Sequence, residues 1–300
     1  MANPRLIKKR VNSIKNIGKI TKALEMVSAS RVQKAQEKAI RAKPYANMIN
    51  ELVRRLAEKN ASIDIPLMRQ PEEIKSDLFI LISTNRGLAG SLNTNLFREI
   101  SQFLEKKNSK HNFVTVGKKG RVFAMQKGQF VADFSESKDL GGKVTDIVKL
   151  AIKGFVTEVY DEVYIVYSDF LTALLQEPIV KRILPIKAEE LSERYETGDL
   201  LGRREKIMGS ETTKVSNFFY EPDPVTVLTD LLPYYIEIQI AESFYEAEAS
   251  EHSARMIAMK NASDNASELT EGLSLEYNKA RQSMITTEIS DITTAQESLK

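Results

Sequence analysis

Residues 5–57 contain one glycine, Gly18, and one proline, Pro44, while residues 234–294 contain one glycine, Gly272, and no proline. Stretches this long without backbone punctuation commit both ends of the chain to long helices. In the first, Ile7, Val11, Ile14 and Ile17, then Leu24 and Val27, recur every three or four residues and predict one apolar face. Ala35, Ala39 and Ala42 continue that face with side chains small enough for a close partner. Pro44 should bend the helix, because it removes a backbone donor and crowds the preceding turn. At ~1.5 Å per residue this helix extends roughly 80 Å, more than a compact domain of this size requires. At the other end, Asp223-Pro224 reads as an N-cap followed by proline at the first helical position, and Pro233 as a break or restart. Ile236, Ile240, Phe244 and Ala247, then Leu269, Leu273, Tyr277, Ala280 and Met284, hold the same spacing. No internal repeat is evident, so two such patterns predict a long antiparallel coiled coil. Interleaved Ser, Asn and Thr make it an imperfect one.

Charge supports pairing of the ends. The net charge of +2 hides 15 Lys+Arg against 4 Asp+Glu in residues 1–59 and 5 against 12 in residues 235–300, or +11 and −7. Opposite blocks at opposite ends suggest that the ends meet, although two separately solvated faces would carry the same charges.

The middle has another texture. Residues 77–84 read as a buried strand, 85–90 as a tight turn and 91–106 as a helix. A strand at 112–116, a turn with a short helix at 117–126, a helix at 144–160 and strands at 162–167 and 179–186 follow. Strands alternating with helices predict a mostly parallel, Rossmann-like α/β sheet. The fold class is thus α/β, with a central domain at 75–190 inserted between terminal helices at 1–59 and 223–300. Residues 191–222, with mixed charges and several glycines, read as a loop excursion.

Several chemistries find little support. With no cysteine, thiol catalysis, disulfides and cysteine zinc sites are excluded. No apolar run approaches the ~18 residues of a membrane span. Gly87-Leu-Ala-Gly90-Ser91 sits between strand and helix, where phosphate loops occur, but lacks the Gly-Lys-Ser/Thr ending and the third glycine of a dinucleotide fingerprint. Glycines there serve equally to turn the chain tightly. Gly117-Lys-Lys-Gly120 is a weaker match still. Glu248, Glu251 and His252 share a helical turn and could hold a metal, yet the other histidine, His111, is remote, and charged residues on a helix are usually a solvated face. No serine or threonine has a neighbouring histidine in a nucleophile context. These residues call for no cofactor, no metal and no catalytic group. Lys8, Lys9, Arg10, Lys15, Lys19 and Lys22 make a basic stripe that nucleic acid, acidic protein loops or the acidic C-terminal helix could each satisfy. The first 40 residues hold no aromatic side chain on which bases could stack.

Four runs carry a resemblance to the gamma subunit of the F-type ATP synthase. They are Lys19-Ile-Thr-Lys-Ala-Leu-Glu-Met-Val-Ser-Ala-Ser30, Asn85-Arg-Gly-Leu-Ala-Gly-Ser-Leu-Asn93, Ala249-Ser-Glu-His-Ser-Ala-Arg-Met-Ile-Ala-Met-Lys-Asn-Ala-Ser-Asp-Asn265, and Tyr277-Asn-Lys-Ala-Arg-Gln282 with Ile285-Thr-Thr-Glu-Ile289. In order, they span essentially the whole chain. The resemblance implies a shaft of paired terminal helices inside a ring of three alpha and three beta subunits. It also implies a central domain that rests as a foot on the membrane c-ring beside the epsilon subunit. Such a subunit has no active site of its own; it couples proton flow to rotary ATP synthesis or hydrolysis at the beta subunits and takes part in regulating ATPase activity. By matching position, Met26, Arg255, Arg281, Gln282, Thr286 and Glu288 are expected to contact the beta subunits. The tail, residues 293–300, is more polar than the small apolar endings associated with that family. The thiol switch of chloroplast relatives has no counterpart without cysteine, and no presequence is visible. A bacterial protein on the cytoplasmic side of the plasma membrane is therefore expected. The alternative is a coiled-coil adaptor or a basic nucleic-acid-binding protein with an α/β head.

Overall fold

The computed structural model describes residues 3–59, 65–136, 140–187 and 220–298. It divides into two compact units, one of residues 30–254 and one of the chain up to Ala29 with the chain from Arg255 onward. Most of the predicted excursion at 191–222 lies outside the described residues.

In the larger unit, β1 (Ser76–Ile82), β2 (Lys110–Val116), β3 (Gln129–Asp133), β4 (Glu162–Phe170) and β5 (Gln176–Leu184) form, among the described residues, one sheet in the order β3-β2-β1-β4-β5. The pairs β1–β2, β1–β4 and β2–β3 are parallel and only β5 runs antiparallel, beside β4. Helices α2 (Leu92–Glu105), α3 (Lys118–Lys127) and α4 (Leu140–Val156) connect the parallel strands. Phe79, Leu81, Phe113, Tyr164 and Val166 are buried with Leu96, Ile100 and Leu104 of α2 and Ala124 of α3. The alternate residues Leu78, Ile80, Val114, Val163 and Ile165 are buried with Ile147, Ala151 and Phe155 of α4. Burial on both faces is why β1 and β4 read as unbroken apolar runs.

That second core also takes Ile49, Val53 and Leu56 from α1 (Pro4–Lys59) and Leu228, Leu232, Ile236 and Ile240 from α5 (Pro224–Ser298). Asp223 caps α5 as its sequence predicts, its Oδ1 accepting the N–H groups of Val225 (2.9 Å) and Thr226 (3.0 Å). The two helices run antiparallel here. Ala35 clusters with Ala249, and Lys38 Nζ lies 3.5 Å from Glu248 Oε2.

In the smaller unit, Gly18 of α1 faces Ala266 of α5, so closely that a β-carbon at 18 would stand 3.3 Å from the Ala266 methyl.

Three expectations need correction. Ile17, Leu24 and Val27 do not lie on the shared face; all three are exposed. The enclosed positions are Ile7, Val11, Ile14, Gly18, Thr21, Glu25 and Ser28, alternating by four and three, and beyond them Val32, Ala35, Ala39, Ala42, Ala46, Ile49, Val53 and Leu56 keep the same alternation. A repeat of 3.5 is the period of a coiled-coil seam, and it drifts away from a 3.6-residue stripe drawn through the largest side chains. On α5, Leu269 and Met284 are likewise exposed. Second, Pro233 lies inside α5 without ending it. A proline deletes one backbone bond, and here its neighbours Leu232, Tyr235 and Ile236 are buried in the core and hold the helix through that loss. Third, β3 was not expected. It is a five-residue edge strand of mostly half-buried side chains, with neither the length nor the apolar run of β1 and β4.

Candidate functional site

The outward side of the smaller unit is where the expected contact residues lie. With Thr21 and Ser28 turned inward, Ile17, Ile20, Leu24 and Val27 form a second stripe, spaced three, four and three, that faces away from the seam. Met26 is 60% exposed beside them. Large apolar side chains outside and small or polar ones inside reverse what a self-sufficient helix pair would choose. The outer face is therefore built to meet something else.

Arg255 is half-buried and engaged in contacts within the protein. Arg281, Gln282, Thr286 and Glu288 are exposed, within two turns of α5, and Thr286 Oγ1 donates to the Gln282 carbonyl at 3.0 Å. Described side chains from Arg281 to Thr294 are all exposed, so this stretch of α5 has no partner among the described residues. The structure thus groups the last four predicted residues and sets Arg255 apart from them. The 26 helical steps from Arg255 to Arg281 correspond to roughly 39 Å of helix. The basic stripe is exposed, with Lys22 turned onto Glu25 of its own helix at 3.0 Å.

The glycine motifs join strand ends to each other. Ser83 Oγ accepts the Gly120 N–H at 2.7 Å and donates to the Gly117 carbonyl at 3.0 Å. Asn85 Oδ1 accepts the Lys118 N–H, and the Thr84 carbonyl accepts that of Lys119. Asn93 closes the loop from the other side, accepting from Thr84 N–H at 3.2 Å and donating to Thr84 Oγ1 at 2.8 Å. The first-turn donors of α3, which a phosphate would need, are therefore spent on β1 and its loop. Gly117 has φ +105°, and a β-carbon there would stand 1.9 Å from the Ser83 carbonyl oxygen, so this glycine is required by backbone approach. Of the residues considered for a metal, Glu248 is engaged by Lys38.

One cluster gives no sequence signal, because its members come from separate segments. Lys107, just past α2, reaches Glu162 of β4 in a short charge-assisted bond, Tyr164 OH at 2.7 Å and Asp77 Oδ2 at 3.6 Å. Ser109 donates to Asp77, and Arg182 of β5 lies 4.0 Å from Glu162. Burial pushes the Asp77 carboxyl up, against Ser109 and Lys107. Burial opposes the Lys107 charge, but Glu162, Tyr164 and Asp77 outweigh it and raise its pKa. Burial likewise takes the Tyr164 phenol up to about 12. The cluster ties the end of α2 to β1, β4 and β5.

Comparison with known proteins decides the family. The model of the family described as ATP synthase matches residues 3–299. The chain belongs to the ATP synthase gamma-chain family. It is 36% identical to the ATP synthase gamma chain of Chloroflexus aurantiacus, over 97% of each chain, and 39% identical to that of Methylacidiphilum infernorum, over 99% of each. Among solved structures, its fold resembles a chain of the Euglena gracilis mitochondrial ATP synthase, solved as OSCP/F1/c-ring in rotational state 3. The TM-score there is 0.64, at 20% identity and over 99% of this chain and 94% of that one. A chain of the Tetrahymena thermophila mitochondrial ATP synthase central stalk and c-ring gives 0.56, at 20% identity over 81% and 99%. As a gamma chain, the protein is a subunit of ATP synthase, and the adaptor and nucleic-acid readings give way. Among the described residues no helix is long and apolar enough to cross a membrane.

Proposed function

We propose that this gamma chain is the turning shaft of its ATP synthase, carrying torque between a membrane c-ring and the beta subunits, where ATP is made or hydrolysed. In this reading the terminal helices, residues 1–59 and 223–300, stand inside a ring of three alpha and three beta subunits. The central domain, 75–190, is the foot on the epsilon and c-ring side. The chain supplies no catalytic group. Its asymmetric faces present different contacts to each beta subunit and so bias which of several states each one occupies. It thereby regulates turnover as well as transmitting it. Proton flow is the proposed drive, and the cytoplasmic side of a bacterial plasma membrane is the proposed location, in keeping with the bacterial relatives.

The observation that carries this reading is the run of α5 from Arg281 to Thr294, without a partner among the described residues, together with the outward apolar stripe of α1. Met26 would bear on the beta subunits from that stripe. Arg255 would do so at one level of α5, and Arg281, Gln282, Thr286 and Glu288 at a second. Exposed polar side chains on a rigid helix can make and break charge-assisted hydrogen bonds as the shaft turns.

The test replaces Arg281 and Gln282 with alanine in the assembled complex. Each such bond is worth about 1.5–3 kcal/mol, so losing two from the limiting step should slow ATP turnover at least about a hundredfold. Sedimentation should show the complex still assembled. Unchanged turnover would remove these residues from the coupling contact.

A further inference from the structure

β1 pairs with β4 only as far as Val166, whereas β4 and β5 go on pairing to Phe170 and Gln176. The end of the β4–β5 hairpin therefore projects past the rest of the sheet as a two-stranded arm, and such a ribbon is marginal alone. Its support is α5. Ser243, Glu246, Ala249 and Ser253 occupy one face of that helix, and Tyr167, Phe170 and Ala173 meet them in order along the arm. The Tyr167 hydroxyl meets the Glu246 carboxyl, while the Ser243 hydroxyl donates to the Gln239 carbonyl of its own helix at 2.9 Å. Phe170 is buried against Ala249 and Ala35. Ser253 Oγ donates to the Ala173 carbonyl at 2.7 Å.

Glu246, half-buried, has unfavourable company in this seam. Asp169 of β4 and Glu242, one turn earlier on α5, both repel its carboxylate, while Lys181 of β5 attracts it. Lys181 and Lys43 of α1 attract Glu242. Burial, then Asp169, with Glu242 adding to them, takes the Glu246 carboxyl up to about 8 against the pull of the Tyr167 hydrogen bond. Burial holds the Tyr167 phenol far above its ordinary range, so its hydroxyl stays a donor.

We propose that Glu246 is a proton-operated clasp: while its carboxyl is protonated the β4–β5 arm lies closed along α5, and loss of that proton loosens the arm. The protonated carboxyl still accepts from Tyr167 but no longer repels Asp169 and Glu242. The closed arm binds this proton more tightly than an open, solvated one would. The clasp's contribution is therefore fully present below the ordinary glutamate range. It declines as pH rises and is gone above about 8.

The test is amide hydrogen exchange on the full chain in its assembled complex, corrected for intrinsic rates, for residues 170–176 between about pH 6 and about pH 9. In the unmodified protein, arm protection should fall roughly tenfold to a hundredfold across that range, while β1 amides keep theirs. Glu246→Gln should abolish the pH dependence. Because that change could loosen the arm by itself, Asp169→Asn in an otherwise unmodified chain is the second arm of the experiment. It removes the larger of the two repulsions and should make the fall smaller. Infrared difference spectra should show one protonated carboxyl band that titrates near pH 8 and is missing from the Gln variant. Equal pH dependence with and without Glu246, or an unchanged fall in Asp169→Asn, would overturn the proposal. So would an arm whose protection ignores the titration of that band.

Discussion

Lys107 joins Asp77 of β1 to Glu162 and Tyr164 of β4, two strands that lie far apart in the sequence. Its side chain is 18% exposed, Asp77 has no exposure, and Glu162 is nearly as deep. Removing the cation would strand two buried acids, and breaking a buried pair in this one-sided way costs about 3–5 kcal/mol. Lys107→Met is therefore expected to lower the urea unfolding midpoint by a corresponding amount. Adding Asp77→Asn and Glu162→Gln to the same chain should restore most of it, because the penalty lies in unpaired charge and not in lost packing. A cost under about 1 kcal/mol for Lys107→Met alone would show that water reaches the acids and that the cluster behaves as an exposed one. Glu51, by contrast, is held below its usual range by Arg54 on the same helix, assisted by Arg55, and such local pairs contribute little.

At the scale of elements, the two terminal helices differ in what holds them. Through Ala280, α5 is sheltered at intervals of three and four residues; from Arg281 every described side chain to Thr294 is in solvent. An isolated helix of this length is marginal in water. Deleting residues 282–300 from the free subunit should thus leave its thermal midpoint unchanged to within about 1 °C, whereas the same deletion should impair turnover in the complex. A drop of several degrees would mean that the segment is anchored within the subunit. The sequence made the existence of both helices plain, since glycine and proline are nearly absent over more than fifty residues at each end. It made the parallel strands plain through their apolar runs. The seam was not legible, because Gly18, Thr21, Glu25 and Ser28 look like an exposed edge until the 3.5-residue repeat is followed from Ile7 to Leu56. The candidate contact residues were found through family motifs alone. Nothing in the residue types of Arg281 or Glu288 separates them from ordinary surface charge, and the arm on Glu246 depends on residues more than seventy positions apart.

At the scale of the whole molecule, the proposed shaft role raises the question of whether two paired helices must move against each other to transmit torque. The seam of the smaller unit is close: Gly18 admits Ala266 to a distance at which even a methyl at 18 would press on it. Close packing of small residues resists axial sliding, because each displacement of a few ångströms exchanges a fitted contact for a clash. If torque is carried by the pair turning as one body, tying the helices together should not matter. The chain offers a clean test, since it has no cysteine of its own. In Gly18→Cys with Ala266→Cys, the β-carbons start near the ~3.5–4.5 Å separation that a disulfide spans, so a small backbone adjustment suffices to oxidise the pair. ATP turnover of the oxidised complex should then match that of the same complex after reduction, within about twofold. Should oxidation stop turnover and reduction restore it, the helices must slide or unwind against each other in every cycle, and the shaft would be an articulated transmission instead of a rigid one.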